Sequence, residues 1–121
     1  VTIVATGHLV WEALQAAETL NKQGISAEVI NIHTIKPLDD EAILNSVSKT
    51  RCIVTAEEHN ILGGLGESVA RVLANKNPTP QEFVATQDTF GESGTPEQLM
   101  EKYGLNASAI CKAVLKVIER K

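Results

Sequence analysis

Apolar and polar positions along the chain repeat one theme, a short apolar run followed by a stretch with helical spacing. Thr2-Ile3-Val4-Ala5 is a β-branched run ended by Gly7 and predicts a buried strand. Between Val10 and Gln23, apolar residues recur at Val10, Ala13, Leu14, Ala17 and Leu20, the spacing of one helical face, and Gly24 is placed to end it. Ala27 to Ile32 predicts a second strand. Pro37 and Asp39, with Ala42, Ile43 and Val47 behind them, predict a second helix with an acidic start. Cys52 to Ala56 is the clearest strand of all. After a glycine-rich turn, Glu67 to Ala74 predicts a helix with Val69, Val72 and Leu73 inward, and Asn77-Pro78-Thr79-Pro80 cannot continue it. Glu82 to Thr86 predicts a fourth strand. Pro96 opens a short helix through Lys102, closed by Gly104. A last helix runs from about Asn106, with Ile110, Ala113, Val114, Val117 and Ile118 on one face and Lys112, Lys116, Arg120 and Lys121 toward its negative end. Strands alternating with helices imply a mostly parallel sheet covered on both faces, a three-layer α/β/α domain. Phe90 to Thr95, rich in glycine and small polar residues, reads as its mobile loop.

Composition narrows this picture. The 121 residues fit one domain, and 43% hydrophobic content is enough for a core without metal or disulfide support. Eleven lysines and arginines against fifteen aspartates and glutamates, with no basic cluster, argue against nucleic-acid binding. No apolar run approaches the ~18 to 20 residues of a membrane span. Cys52 and Cys111 have no Cys-x-x-Cys spacing, which fits a reducing, cytoplasmic setting rather than a disulfide framework. There is no charged-then-apolar leader. Val1 opens almost directly into a strand and the only methionine is Met100, so the expectation is a piece cut from a longer chain.

Candidate chemistry centres on Glu57-Glu58-His59-Asn60-Ile61-Leu62-Gly63-Gly64-Leu65-Gly66-Glu67, which follows the third strand at the carboxyl edge, where open α/β sheets place their sites. A glycine-rich turn opening a helix can cradle phosphate with backbone N–H groups. Two features oppose that here: the third glycine of a dinucleotide pattern counted from Gly64 falls at Val69, and Glu67 puts negative charge in the helix's first turn. The plainer reading is that the glycines permit a tight turn and close helix–sheet packing. Glu57, Glu58 and His59 are consecutive and do not converge readily on one metal ion. Polar contact with a neighbouring domain or subunit suits the cluster better. His33, beside Thr34 to Asp39, reads as part of a structural turn, and His8 as exposed. Cys52 and Cys111 lack the electropositive surroundings of a reactive thiolate and read as small core residues. Ser93, His59 and Asp88 lack any nucleophile-elbow pattern. On residues alone the reading stops at an α/β domain with an undetermined site.

The order of segments resembles the carboxy-terminal domain of transketolase. The matching pieces are Val1 to Gly7, Glu12-Ala13-Leu14 with Ala16-Ala17, Thr34-Ile35-Lys36-Pro37-Leu38-Asp39, Thr55-Ala56-Glu57-Glu58-His59, Gly63-Gly64-Leu65-Gly66-Glu67, Ser93 to Leu99, Lys102-Tyr103-Gly104-Leu105 and Ala109-Ile110. They cover nearly the whole chain in order. The Lys-Pro-Leu-Asp and Gly-Gly-x-Gly elements are similar to those of deoxyxylulose-phosphate synthases and of 2-oxoacid dehydrogenase beta subunits. Phe90 to Glu97, followed by Lys-Tyr-Gly-Leu, resembles transketolase in particular.

The resemblance implies a mixed, five-stranded sheet with one antiparallel edge strand, the fifth strand coming from Thr34 to Lys36 or from Asp88 to Phe90. It implies a parent enzyme that moves a two-carbon ketol unit between sugar phosphates in the pentose phosphate pathway. That enzyme would bind thiamine diphosphate and magnesium between two upstream domains, through a Gly-Asp-Gly motif and a catalytic glutamate. This sequence has no Gly-Asp-Gly, so no catalytic, cofactor or metal residue is carried over. The expected role is a structural, dimer-supporting domain, inactive alone, whose partners are the upstream domains and a second copy of the full enzyme. Glu58, His59, Asn60, Gly63, Gly64 and Gly66 are the candidate interface residues. An independent α/β module binding a small anion at that turn is the alternative from another class.

Overall fold

Three helix starts and ends are written in single residues. In a computed structural model, which describes residues 1–32, 39–60, 64–86 and 106–121, the Asp39 carboxylate accepts from the Ala42 backbone N–H at 3.2 Å and opens α2 (Asp40–Thr50). Asn106 does the same for the last helix, α4 (Ala107–Glu119), through the Ala109 N–H at 2.9 Å. Gly24 follows α1 (Leu9–Lys22) with φ +82, a conformation that favours glycine and turns the chain toward the next strand. Asp39→Ala should lower stability by about 1 kcal/mol, read as a shift in the denaturant midpoint, because one exposed capping bond is lost.

The remaining elements are β1 (Thr2–Ala5), β2 (Glu28–Asn31), β3 (Ile53–Asn60), α3 (Leu65–Lys76) and β4 (Gln81–Thr86). The strands are ordered β2-β1-β3-β4 and all four pair in parallel, with Ile3 beside Val29 and Val54, and Thr55 beside Phe83. Alternation along the strands sorts the core into two layers. Ile3, Ala5, Val54, Ala56 and Val84 face α1 and α4, meeting Leu9, Ala13, Ala16, Leu20, Ile110, Val114 and Val117. Val4 and Ile53 face α2 and α3, meeting Ile43, Val47, Leu65, Val69 and Leu73. The three-layer α/β/α architecture is therefore as the periodicity predicts. The segments that would supply a fifth strand, 34–36 and 88–90, the 96–102 helix and the 90–95 loop lie outside the described residues.

Two expectations are corrected. The inward face of α1 is Leu9, Ala13, Ala16 and Leu20, while Leu14 is half exposed and Val10 only partly buried. The cause is α4, which lies against α1: Cys111 Sγ reaches 3.8 Å from the Ala16 carbonyl, and Glu12 accepts from the Ala107 N–H at 3.2 Å. Two alanines on that face admit the neighbouring helix, and the bulkier Leu14 is turned outward with Trp11. The second correction concerns the third strand. It begins at Ile53, not Cys52, and runs on to Asn60, so Glu58 to Asn60 belong to the strand rather than to the turn after it. Its pairing with β4 shifts register between Ala56 and Asn60.

The sheet's first strand is tied to α2 by a buried hydroxyl cluster in which Thr2 lies 2.6 Å from both Ser46 and Thr50. At the exposed margin, Lys49 donates to Glu28 at 2.9 Å. That bond, and then one from Ser46, hold the Glu28 carboxyl below its ordinary range. A depressed carboxylate favours the folded state above its unfolded pKa and loses that contribution as pH falls through the folded value. Glu28→Gln is therefore expected to lower stability slightly at neutral pH, because the pair is exposed and screened, to leave the acid end unchanged, and so to flatten the limb below about pH 5.

Candidate functional site

The strand order places a reversal between β1 and β3. α1 follows β1 onto one face of the sheet, and α3 follows β3 onto the other. The carboxyl ends of β1 and β3 thus flank a topological switch point, the usual location of sites in open parallel sheets. Thr6, Gly7 and His8 follow β1 there, and Glu57 to Asn60 complete β3. The Thr6 N–H donates to the Ala56 carbonyl at 3.2 Å and ties the two together.

Strand alternation separates Glu57 from its neighbours. Ile53, Thr55 and Glu57 share the face toward α3, and Glu57 is 1% exposed. Its carboxylate accepts from the Leu65 N–H at 2.8 Å and from the Gly66 N–H at 2.6 Å, the first two donors of α3. These are charge-assisted bonds at the positive end of a helix, so a buried carboxylate is stable there. The phosphate cradle suggested by the glycine-rich turn is thus filled by an anion of the chain itself. Glu67, in the same first turn, forms an i,i+4 pair with Arg71 at 3.9 Å.

Gly66 is needed for close approach. A Cβ on it would stand 2.4 Å from Phe83 Cδ2, 2.6 Å from Phe83 Cε2 and 2.9 Å from Thr55 Oγ1. Gln81 closes the same contact by donating through Nε2 to Thr55 Oγ1 at 3.1 Å and to the Gly66 carbonyl at 2.9 Å. Gly64 and Gly66 are both buried within the chain. Of the candidate interface residues, Glu58, His59 and Asn60 stand on the last stretch of β3, and Gly63 lies outside the described residues. His33, Asp88 and Ser93 lie outside them as well. His8 is exposed, as expected, and immediately precedes α1.

Among the described residues, no group of three His, Cys, Asp or Glu side chains is arranged to hold a metal ion. Cys52 is buried and Cys111 half-buried in the α1–α4 layer, and burial pushes the Cys111 thiol up. Both thiols should be alkylated slowly by iodoacetamide near pH 7.5 and rapidly after denaturation, measured as mass added over time. Sequence reasoning grouped Glu57 with Glu58 and His59. Parity counted from Ile53 gives the face that Glu57 shares, but both faces of β3 are covered, so its burial had no local signal.

Known proteins with this architecture identify the family. The transketolase C-terminal domain family matches residues 1–110. A 6-deoxy-6-sulfo-D-fructose transketolase subunit from Clostridium sp. strain MSTE9 is 51% identical over all of this chain and 38% of its own length. A 1-deoxy-D-xylulose-5-phosphate synthase from Geobacter sulfurreducens is 42% identical over 93% of this chain and 18% of its own. The solved structure of a split-gene transketolase, described as an inactive beta4 tetramer, superposes with a TM-score of 0.93 at 46% identity, covering 98% of this chain and 39% of that one. The chain thus spans well under half of each of these proteins. Its sequence over 110 residues and its fold over nearly its whole length agree: this chain belongs to the transketolase C-terminal domain family.

Proposed function

We propose that this chain is the carboxy-terminal, non-catalytic domain of a thiamine-diphosphate-dependent transketolase that moves a two-carbon ketol unit between sugar phosphates, as in the pentose phosphate pathway. The observation that carries this reading is the full-length match to a transketolase subunit at 51% identity, above the 42% to a deoxyxylulose-phosphate synthase. The domain's partners are the upstream domains of the same enzyme and a second copy of it, in the cytoplasm, with neither nucleic acid nor membrane as a ligand.

Thiamine diphosphate and magnesium, which the family implies, do not fit the described residues. The glycine-rich helix start that would receive a diphosphate already holds the Glu57 carboxylate, and the described side chains offer no metal cluster. In this reading the cofactor belongs to the upstream domains, and the isolated chain neither binds it nor turns over substrate. What the chain supplies is a surface. Glu58, His59 and Asn60, at the carboxyl end of β3, meet the upstream domains or the second subunit, and Gly63, Gly64 and Gly66 belong to the same candidate contact region.

The test is a donor panel on the assembled enzyme with thiamine diphosphate and magnesium. Ketol transfer from a ketose phosphate to an aldose phosphate supports the reading. Decarboxylation of pyruvate onto glyceraldehyde phosphate would instead support the synthase. Because one relative is named for a sulfonated fructose, that sugar belongs in the panel. Micromolar, stoichiometric binding of thiamine diphosphate by the 121-residue chain alone, measured by calorimetry, would overturn the division of labour. His59→Ala is expected to weaken dimerisation or stability by about 1 to 3 kcal/mol while leaving the chemical step intact.

A further inference from the structure

Among the described residues, Glu57 is the one charged side chain that is fully buried, and the proposed contact surface does not itself use it. Its two bonds are unusual in what they connect. Asp39 and Asn106 cap α2 and α4 from the adjoining residue, which stabilises a helix without saying where it lies. α3 has no such cap: the residue before it is Gly64, with no side chain to offer. Its first two N–H groups are satisfied instead from β3, eight and nine residues back in the chain. The bonds therefore register the start of α3 against β3 at Glu57, directly before Glu58, His59 and Asn60 at the strand's end.

From this we infer that Glu57 is a positioning residue. Its carboxylate ties α3 to β3 and so holds Glu58, His59 and Asn60 at the carboxyl edge in the arrangement the second subunit meets. The inference rests on the reading of that edge as a contact surface. The physical content is preorganisation: a strand end held against its helix loses little further freedom on association. The helix itself needs only an acceptor at its first turn, whereas the contact surface needs an acceptor attached to the strand.

That difference gives the experiment, done in the assembled enzyme. E57A removes the acceptor, and E57A/G64S returns one locally, because Gly64 has the extended backbone of a capping serine. Hydrogen exchange of the Gly66 amide, which a capping side chain at position 64 reaches, reports the cap, and the subunit dissociation constant reports the surface. E57A is expected to weaken association by about tenfold or more. E57A/G64S should restore amide protection while recovering little of the association. V114A, a core truncation in the opposite layer, lowers stability without removing the Glu57 bonds and should leave association nearly unchanged. If the double variant does not accumulate, acetate added to E57A, against chloride at equal ionic strength, fills the same seat without a tether and is read in the same way. If E57A does not accumulate either, E57Q is read on the same axes. Recovery of association together with amide protection would overturn the inference, as would unchanged association in E57A. H59A separates the two levels. Association weakened by H59A but not by E57A rejects the positioning role alone, whereas association indifferent to both rejects the contact surface itself.

Discussion

Replacing Glu57 with alanine should lower the unfolding free energy by about 3 to 5 kcal/mol. The change leaves the N–H groups of Leu65 and Gly66 without their acceptors in a buried position, and each unsatisfied buried donor costs roughly 1 to 3 kcal/mol. A void in place of the side chain adds to this. Against a typical stability of roughly 5 to 15 kcal/mol the loss is severe. Glu57→Gln keeps the shape and one accepting oxygen but turns an amide NH2 donor toward the other N–H, so about half of the loss should remain. Denaturant midpoints for the two variants check the order and the size. A loss of less than about 1 kcal/mol in the alanine variant would mean that water enters the seat and replaces the carboxylate.

The second large effect belongs to Gly66. An added methyl collides with the ring of Phe83 and with Thr55 Oγ1 at distances no real Cβ contact tolerates, so helix, ring or strand must move. Overpacking of this kind costs about 1 to 3 kcal/mol, and the upper end applies because Thr55 is fixed in the sheet and bonded to Gln81. Phe83 is half exposed and its ring can be removed by substitution. The cycle Gly66→Ala, Phe83→Ala should therefore be non-additive, with the glycine substitution about 1 to 2 kcal/mol milder once the ring is gone. Additive costs would place the collision at Thr55 instead.

These two residues also mark the limit of what spacing can say about the site. Glycine at 63, 64 and 66 is legible as a tight turn with close packing, and Glu67 is legible as hostile to a bound phosphate. That the phosphate's place is taken by Glu57 is a tertiary fact. It depends on β3 continuing past Ala56, so that Glu57 keeps its alternate face, and on α3 returning beneath that face. A run of polar residues after an apolar strand gives no local sign that the first of them points into the core, since burial of a carboxylate is favourable only when donors are already waiting.

By itself the sequence determined the alternation of strands and helices, the parallel three-layer class, the helix starts near Asp39 and Asn106 and the family. Each of these is local or cumulative: a helix shows its own apolar spacing, and a strand needs its own run of apolar side chains. Tertiary structure alone decided the strand order that puts the switch point between β1 and β3, the face of α1 that turns inward, and the partner of Glu57. Those depend on which element packs where. Leu14 and Ala16 are both apolar and both suit a helical stripe, and only the approach of α4 chooses the smaller one for the interior.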